Sequence, residues 1–169
     1  MQRSAHFSRC RQYRYALWRR WAEGDDYVLL VALNPSTADH RRDDPTIRRC
    51  IGFARDWGYS ALCVANLFAY RATYPSDLFA ADDPVGPRND QWLSKLARDA
   101  SLVVAGWGNH GRHGNRAAQV RDRLGDALHC LRMNGSGEPA HPLYLPKALK
   151  PIPMPPVIPA NRPDRPGRR

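Results

Sequence analysis

Short apolar segments that alternate with segments of helical spacing are the feature that most constrains the fold of this chain. They occur at residues 27–33 (YVLLVAL), 60–65 (SALCVA), 101–105 (SLVVA) and 127–131 (ALHCL). Runs of this length without regular polar alternation are typical of strands covered on both faces. Residues 11–18 (RQYRYALW) instead alternate large side chains, as a half-exposed strand does.

Helical segments separate these strands. Asp44 and Pro45 supply an N-cap and a first-turn proline for a helix that ends near Gly58. Residues 88–99 and 115–124 carry apolar side chains at helical spacing, whereas the turn signals within residues 67–87 predict a long loop. Strands that alternate with helices predict right-handed crossovers between parallel strands.

The predicted fold class is α/β. We expect a single domain over residues 1–150: a three-layer α/β/α arrangement with a mainly parallel four-stranded sheet, plus an antiparallel N-terminal edge strand. Residues 151–169 contain seven prolines. Because proline lacks the backbone donor that regular structure needs, we expect this Pro/Arg-rich segment to be a disordered or extended tail.

Positive charge is concentrated towards the two ends of the chain. The net charge is +10, and the first 22 residues carry six arginines and no acid, whereas residues 23–150 hold 16 basic and 15 acidic residues. Such ends suit nucleic acid or a nucleotide as partner, because each neutralised phosphate releases counterions. The alternative is that these arginines are only solvated.

Other features point to a cytoplasmic protein without a membrane partner. No apolar run approaches the roughly 20 residues of a membrane span, and the first ten residues lack the apolar core of a secretory signal. The four cysteines stand far apart, as expected for reduced and mostly buried thiols. The oligomeric state is open.

The loops that follow the predicted strands supply the candidate site, because these loops emerge at one edge of a parallel sheet. The candidates are Asn34, Pro35, Ser36 and Thr37 after the first apolar strand, Asn66, Phe68 and Arg71 after the second, Trp107 after the third, and Asn134, His141 and Leu143 after the fourth.

These residue types suit recognition of a nucleobase. An asparagine amide can pair with a base edge, Trp107 or Phe68 could stack on a base, and His141 could act as an acid–base or anion-stabilising group. The alternatives are that Asn34 caps its loop in an Asx turn and that Trp107 belongs to the core. His110 and His113 are two further candidates for acid–base roles, and a glycine-rich stretch around them also suits solvated side chains.

Neither a cofactor nor a metal is expected. Asp39, His40, Asp43 and Asp44 form an acidic group that could hold Mg²⁺, but two arginines lie between them and Asp44 already serves as the helix cap. The chain has no G-x-x-x-x-G-K-[ST] phosphate loop and no G-x-G-x-x-G after a strand.

Several longer motifs carry a resemblance to a known family. They are the strings YRYALWR from Tyr13, LNPSTAD from Leu33, DDPTIRR from Asp43, NLFAYRAT from Asn66 and HPLY from His141. Through them, residues 12–147 resemble an uncharacterised family of small bacterial proteins known as a domain of unknown function. This resemblance implies no activity.

The order of these motifs is also similar, more distantly, to that of the uracil-DNA glycosylase superfamily. The resemblance implies that Asn34 and Pro35 position a hydrolytic water, that Asn66 recognises the base edge, and that His141 stabilises charge while Leu143 enters DNA as a wedge. This chain departs from the superfamily in having Asn34 where the strongest enzymes have aspartate, and in lacking a serine after Pro142.

Three functions remain open from the sequence. The first is a glycosylase-like protein that processes nucleic acid and holds a base, modified or unmodified, between Asn34 and Asn66 in a cleft at the carboxyl edge of the sheet, with Asn34 and His141 catalytic. The second is a non-catalytic nucleic-acid-binding module. The third is an enzyme of free nucleotides or nucleosides.

Overall fold

A computed structural model describes residues 1–36 and 38–157 of the chain. Its strands are β1 (Gln2–Phe7), β2 (Arg14–Arg20), β3 (Val28–Ala32), β4 (Ala61–Asn66), β5 (Leu102–Ala105), β6 (Leu128–Cys130) and β7 (Ile152–Pro153). Its α-helices are α1 (Pro45–Asp56), α2 (Pro75–Ala80), α3 (Asn89–Asp99) and α4 (Arg116–Leu124). Short 3₁₀ segments occupy Asn109–Asn115, Gly125–Ala127 and Pro142–Tyr144.

The strands form one mixed sheet in the order β1-β2-β4-β3-β5-β6-β7. β3 pairs in parallel with β4 and β5, and β5 pairs in parallel with β6. The outer pairs β1–β2, β2–β4 and β6–β7 are antiparallel. The mixed α/β class is as predicted, but the sheet is larger than the predicted four strands and one edge strand.

The predicted N-terminal edge strand corresponds to β2, which lies inside the sheet. β1 covers its outer side, and β1 escaped prediction because its segment QRSAHF is polar and largely exposed. The long loop predicted at residues 67–87 contains the six-residue helix α2, whose first residue is Pro75. A helix of fewer than two turns leaves almost no periodic signal in a sequence.

Apolar side chains pack on both faces of the sheet. Leu29 and Val31 of β3 belong to a core cluster that includes side chains of α3 and α4. Val28 and Leu30 point to the opposite face, where they join a second cluster with the buried side of α1. The alternation of side chains along each strand therefore explains why the central strands are apolar throughout.

The helix α1 begins as its sequence predicts. The Asp44 Oδ1 accepts a hydrogen bond of 2.8 Å from the Ile47 backbone N–H, and Pro45 occupies the first turn. This cap fixes Asp44 at the carboxyl edge of the sheet, beside the loop that follows β3.

The proline-rich segment was predicted to be disordered or extended. At its start, Ile152 and Pro153 form β7, which pairs with His129 and Cys130 of β6. Residues 158–169 of that prediction lie outside the described residues. Within the described ranges, no helix is long and apolar enough to span a bilayer. Cys50, Cys63 and Cys130 are buried as free thiols, and Cys10 is exposed.

Candidate functional site

A cleft of about 470 Å³ lies at the carboxyl ends of the parallel strands. It brings together six residues predicted from the strand-end loops: Asn34, Ser36, Asn66, Trp107, Asn134 and His141. Its lining also includes Arg14, Asp44, Thr46, Thr73, Asn109 and His110, together with apolar side chains such as Val64 and Ile47. Segments far apart in the sequence thus meet around one hollow.

Asn66, the last residue of β4, has an unusual environment. Its side chain is 1% exposed and lines the cleft, yet neither Oδ1 nor Nδ2 has a hydrogen-bond partner among the described residues. Buried amides are normally paired, and an unpaired donor or acceptor costs about 1–3 kcal/mol. Asn66 therefore keeps a donor and an acceptor available at the wall of the cleft.

The amide of Asn34 is held by the chain around it. Its Nδ2 donates to the backbone oxygens of Pro35, at 3.0 Å, and of Ala72, at 2.8 Å. Both amide hydrogens are used, so Oδ1 is the atom that Asn34 offers to the cleft as an acceptor. The amide joins the loop after β3 to the segment after β4, which differs from the Asx turn considered as an alternative.

His141 reaches the cleft from the segment after β6. Its Nδ1 accepts a hydrogen bond of 3.2 Å from the Leu143 backbone N–H. The neutral ring therefore carries its proton on Nε2, which makes that atom a donor. Burial lowers the pKa of His141, and the charge of Asp44 opposes this shift only in part.

Arg14 and Asp44 supply the charges of the cleft. Among the lining residues that the structure describes, Arg14 is the one permanently cationic side chain and Asp44 is the one carboxylate. The Asp44 Oδ2 accepts from the Ser36 hydroxyl at 3.3 Å, while its Oδ1 caps α1. Burial lowers the pKa of Arg14 to about 10, still well above neutrality, so the guanidinium is charged.

The acidic group around residue 40 has structural partners. Asp43 pairs with the buried Arg19 at 2.7 Å, and the Asp39 Oδ1 accepts from the backbone N–H groups of Arg41 and Arg42. These two backbone hydrogen bonds lower the pKa of Asp39. Within residues 1–36 and 38–157, no three His, Cys, Asp or Glu side chains are grouped closely enough to hold a metal ion.

Hydrogen bonds join the loop after β5 to the segment after β6. The Asn109 Oδ1 accepts from the Asn134 amide at 3.0 Å and from the Ser136 hydroxyl at 2.6 Å. Gly106 packs closely against this segment, because a Cβ there would lie only 3.1 Å from the Pro142 ring. These contacts place Asn134 and His141 beside the strand ends.

The aromatic candidates lie deeper than the sequence suggests. Trp107 lines the cleft but is only 2% exposed, and its Nε1 donates to Glu138 at 2.7 Å. Phe68 is 1% exposed and packs in the core cluster on the α3 side, away from the cleft lining. The predicted stacking partner is therefore not Phe68, because its ring is covered by other side chains.

The remaining candidates lie around the cleft rather than in it. Pro35 is buried, and its backbone oxygen accepts from the Ala72 N–H. Arg71 donates to the Arg11 backbone oxygen and lies over the ring of Phe7. Leu143 lines a neighbouring groove with Arg48 and Lys147. Thr37 lies outside the described residues.

Two functional candidates escape prediction from the sequence. The sequence pattern places Arg14 in a half-exposed strand, and it gives Asp44 the role of helix cap and a place in the acidic group, but not in the cleft. Nothing in the local pattern of Tyr13-Arg14-Tyr15 indicates that the middle side chain is buried at a cleft. His110, a candidate for acid–base chemistry, does line the cleft, whereas His113 stacks on Phe79.

Comparison with known proteins identifies a family and no activity. The family described as protein of unknown function DUF1643 matches residues 14–143, which form most of the chain. No curated protein and no solved structure gives a significant match. The chain therefore belongs to the DUF1643 family.

Proposed function

We propose that this protein is a glycosylase-like enzyme that holds a nucleobase in the cleft and hydrolyses the bond between base and sugar. The observation that carries the proposal is the unpaired, buried amide of Asn66 in the same cleft as Asn34 and His141. An amide with a free donor and a free acceptor pairs with a base edge that offers an acceptor beside a donor.

The chemistry follows from the atoms that the other two residues offer. The Asn34 Oδ1 accepts a hydrogen bond from a water molecule, whose oxygen forms a bond with the sugar carbon as the carbon–nitrogen bond breaks. The bonding electron pair leaves with the base. The His141 Nε2–H donates to the oxygen of the base on which negative charge develops. An amide oxygen is too weak a base to keep the water proton, which passes through solvent to the departing base.

The arrangement of the chain supports this proposal. Parallel strands lie at the centre of the mixed sheet, and side chains of the helices pack on both of its faces. Asn34 follows the first parallel strand, Asn66 ends the second and His141 follows the last, in the order that the resemblance to the uracil-DNA glycosylase superfamily implies. In open α/β sheets, ligands bind outside the carboxyl ends of the strands.

Base release from a panel of substrates tests the proposal. Oligonucleotides and free nucleosides, each with one modified base, are incubated with the protein, and mass spectrometry detects a lost base. For the substrate that reacts, we expect Asn34→Ala and His141→Ala each to lower the rate by about 10²- to 10³-fold, as removal of one transition-state hydrogen bond does. Asn66→Ala should chiefly weaken binding.

Two exposed or peripheral side chains serve as matched controls. Gln91 lies on the outer side of α3 and His129 lies on β6, both outside the cleft lining. Gln91→Ala and His129→Ala should leave the rate unchanged. The proposal fails if no substrate in the panel loses its base, or if the cleft variants release base as fast as the controls. A reaction with nucleosides alone would assign the enzyme to free nucleosides.

A second groove favours the alternative of a non-catalytic nucleic-acid-binding module. It has a volume of about 750 Å³ and lies between β1 and α3. Arg9, Arg11 and Arg88 line it with Phe7, Tyr15 and Trp92, and no carboxylate belongs to its described lining. Cationic side chains beside aromatic rings suit the backbone and bases of a single strand.

Salt-dependent binding separates this alternative from catalysis in the cleft. If the groove binds a single strand, Arg9→Ala with Arg11→Ala should weaken binding and lower its salt dependence. The matched control removes Arg98 and Arg132, which are equally charged and exposed elsewhere. Asn34→Ala should leave this binding intact. Equal effects of the two double variants would remove the groove from consideration.

A further inference from the structure

Three of the arginines that the structure describes are almost completely buried, and they differ in their partners. Arg19 is 0% exposed and forms an ion pair of 2.7 Å with Asp43. Arg116 is 3% exposed and forms one of 2.7 Å with Asp90. Arg14 is 2% exposed and has no carboxylate within ion-pair distance among the described residues. It is also the one that lines the cleft.

The geometry of Arg14 leaves one edge of its guanidinium available. Nη1 donates to the Ala38 backbone oxygen at 2.7 Å. Nε is buried, and within the described part of the chain neither Nε nor Nη2 has a hydrogen-bond partner. Nε and Nη2 form the edge with two parallel N–H groups that binds a carboxylate or a similar anion.

Asp44 does not neutralise this edge by direct contact. Its Oδ1 accepts from the Ile47 N–H and its Oδ2 from the Ser36 hydroxyl. It acts on Arg14 only over a distance, where it partly opposes the lowering of the Arg14 pKa by burial. A buried cation without an ion pair is costly, and proteins normally pair such a charge. The missing partner is therefore best supplied by whatever fills the cleft.

We infer that Arg14 binds a negative charge on the base itself, so that the ligand of the cleft is an acidic nucleobase, such as one with a carboxylate on the ring. This inference rests on the proposed function, because it takes the ligand to be a base recognised by Asn66. Arg14 and Asn66 belong to neighbouring strands and both line the cleft. A phosphate is the other source of negative charge, but a sugar–phosphate backbone would have to enter as deep as a side chain that is 2% exposed.

Binding of matched probes tests the inference. The first probes are uracil, thymine and 5-carboxyuracil, which share the same ring edge and of which only 5-carboxyuracil carries a carboxylate. The second pair is uridine and uridine monophosphate, of which only the latter carries a phosphate. Isothermal titration should show 5-carboxyuracil binding about 10- to 100-fold more tightly than thymine, as expected for one or two charge-assisted hydrogen bonds. Arg14→Met should abolish this preference, and Arg14→Lys should retain part of it because it keeps the charge without the fork.

The thermal stability of the unliganded variants distinguishes a ligand-binding arginine from a purely structural one. Arg14→Met removes an unpaired buried charge and also the hydrogen bond to the Ala38 oxygen; because these effects oppose each other, the melting temperature should change little. Arg116→Met is the matched control: it removes an arginine that bonds Asp90 and the Leu67 backbone oxygen, so the melting temperature should fall. A fall for Arg14→Met as large as that for Arg116→Met would overturn the inference.

The outcomes also separate the inference from the proposed function. Arg14-dependent preference for 5-carboxyuracil without release of any base from the substrate panel would support the inference and refute the glycosylase. Release of neutral bases with no preference for a charged base would support the glycosylase and refute the inference. If only the phosphate of uridine monophosphate gains affinity through Arg14, the acidic-base inference is refuted.

Discussion

Asn66 and Asn89 provide a test of whether an unpaired buried amide marks a ligand site. Both side chains are fully buried, at 1% and 0% exposure. The Asn89 Nδ2 donates to the backbone oxygens of Asn66 and Leu67, at 2.9 and 3.0 Å, and its Oδ1 is unpaired, whereas neither atom of the Asn66 amide bonds a described residue. The perturbation is replacement of each by alanine.

The expected magnitudes follow from these partners. In Asn89→Ala, the Leu67 oxygen keeps the hydrogen bond from Arg116, so the main loss is at the Asn66 oxygen. An unsatisfied buried group costs about 1–3 kcal/mol. Because 1 kcal/mol shifts the melting temperature of a chain this size by about 2–4 °C, Asn89→Ala should melt roughly 2–12 °C lower. Asn66→Ala loses no hydrogen bond and should lie within about 2 °C of the wild type.

Thermal melts by circular dichroism and urea titrations measure both variants under one buffer condition. The urea slope shows whether each variant unfolds from the same compact state. If Asn66→Ala is destabilised as much as Asn89→Ala, the Asn66 amide has a structural partner and the central observation behind the proposed function is lost. If the reasoning is correct, a ligand of the cleft should raise the melting temperature of the wild type and of Asn89→Ala, but not that of Asn66→Ala.

Three further predictions concern the walls of the cleft. Gly111→Ala should lower the free energy of unfolding by about 1–3 kcal/mol in a urea titration, because its Cβ would lie 2.2 Å from the Trp107 ring. Trp107→Phe should cost about 1.5–3 kcal/mol by losing the hydrogen bond to Glu138, and an equally large loss in a Glu138→Met background, which lacks the acceptor, would argue against that bond. Burial lowers the pKa of His141 below its ordinary 6.5, so the unfolded chain binds a proton at a higher pH than the folded chain does. The contribution of His141 to the free energy of unfolding therefore declines as the pH falls below 6.5 towards the lower folded-state pKa. The melting temperature of the wild type relative to His141→Gln should therefore decrease from about pH 7.5 to pH 5.5, and a pH-independent difference would contradict the shift.

Much of the fold was predictable because burial leaves a strong mark on sequence. The apolar runs became β3, β4, β5 and β6, and the Asp44 cap and the spacing after it located α1. β1 and β7 could not be predicted in the same way. Their residues are mostly exposed, and what defines them is backbone pairing with β2 and β6, which does not depend on apolar side chains.

The candidate site was predictable only where topology alone decides position. Asn34, Asn66 and Asn134 end or follow strands, so the parallel sheet brings their loops to one edge. Whether a residue faces the cleft or the core depends on packing in three dimensions, and this is why Phe68 was misplaced and Arg14 was overlooked. Hydrogen-bond partners are equally invisible in sequence: the Nδ2 of Asn89 is bonded and that of Asn66 is not, although the two side chains are identical.

The cleft walls come from chain segments near residues 14, 34–47, 64–73, 107–110 and 134–141. These segments follow or belong to different strands, so affinity should appear only when those strands have assembled into the sheet. Any molecule that binds in the cleft then raises the free energy of global unfolding, by about 2.7 kcal/mol at a concentration one hundred times its dissociation constant. A melting-temperature screen of a metabolite and nucleoside library would accordingly detect the natural ligand even before its reaction is identified.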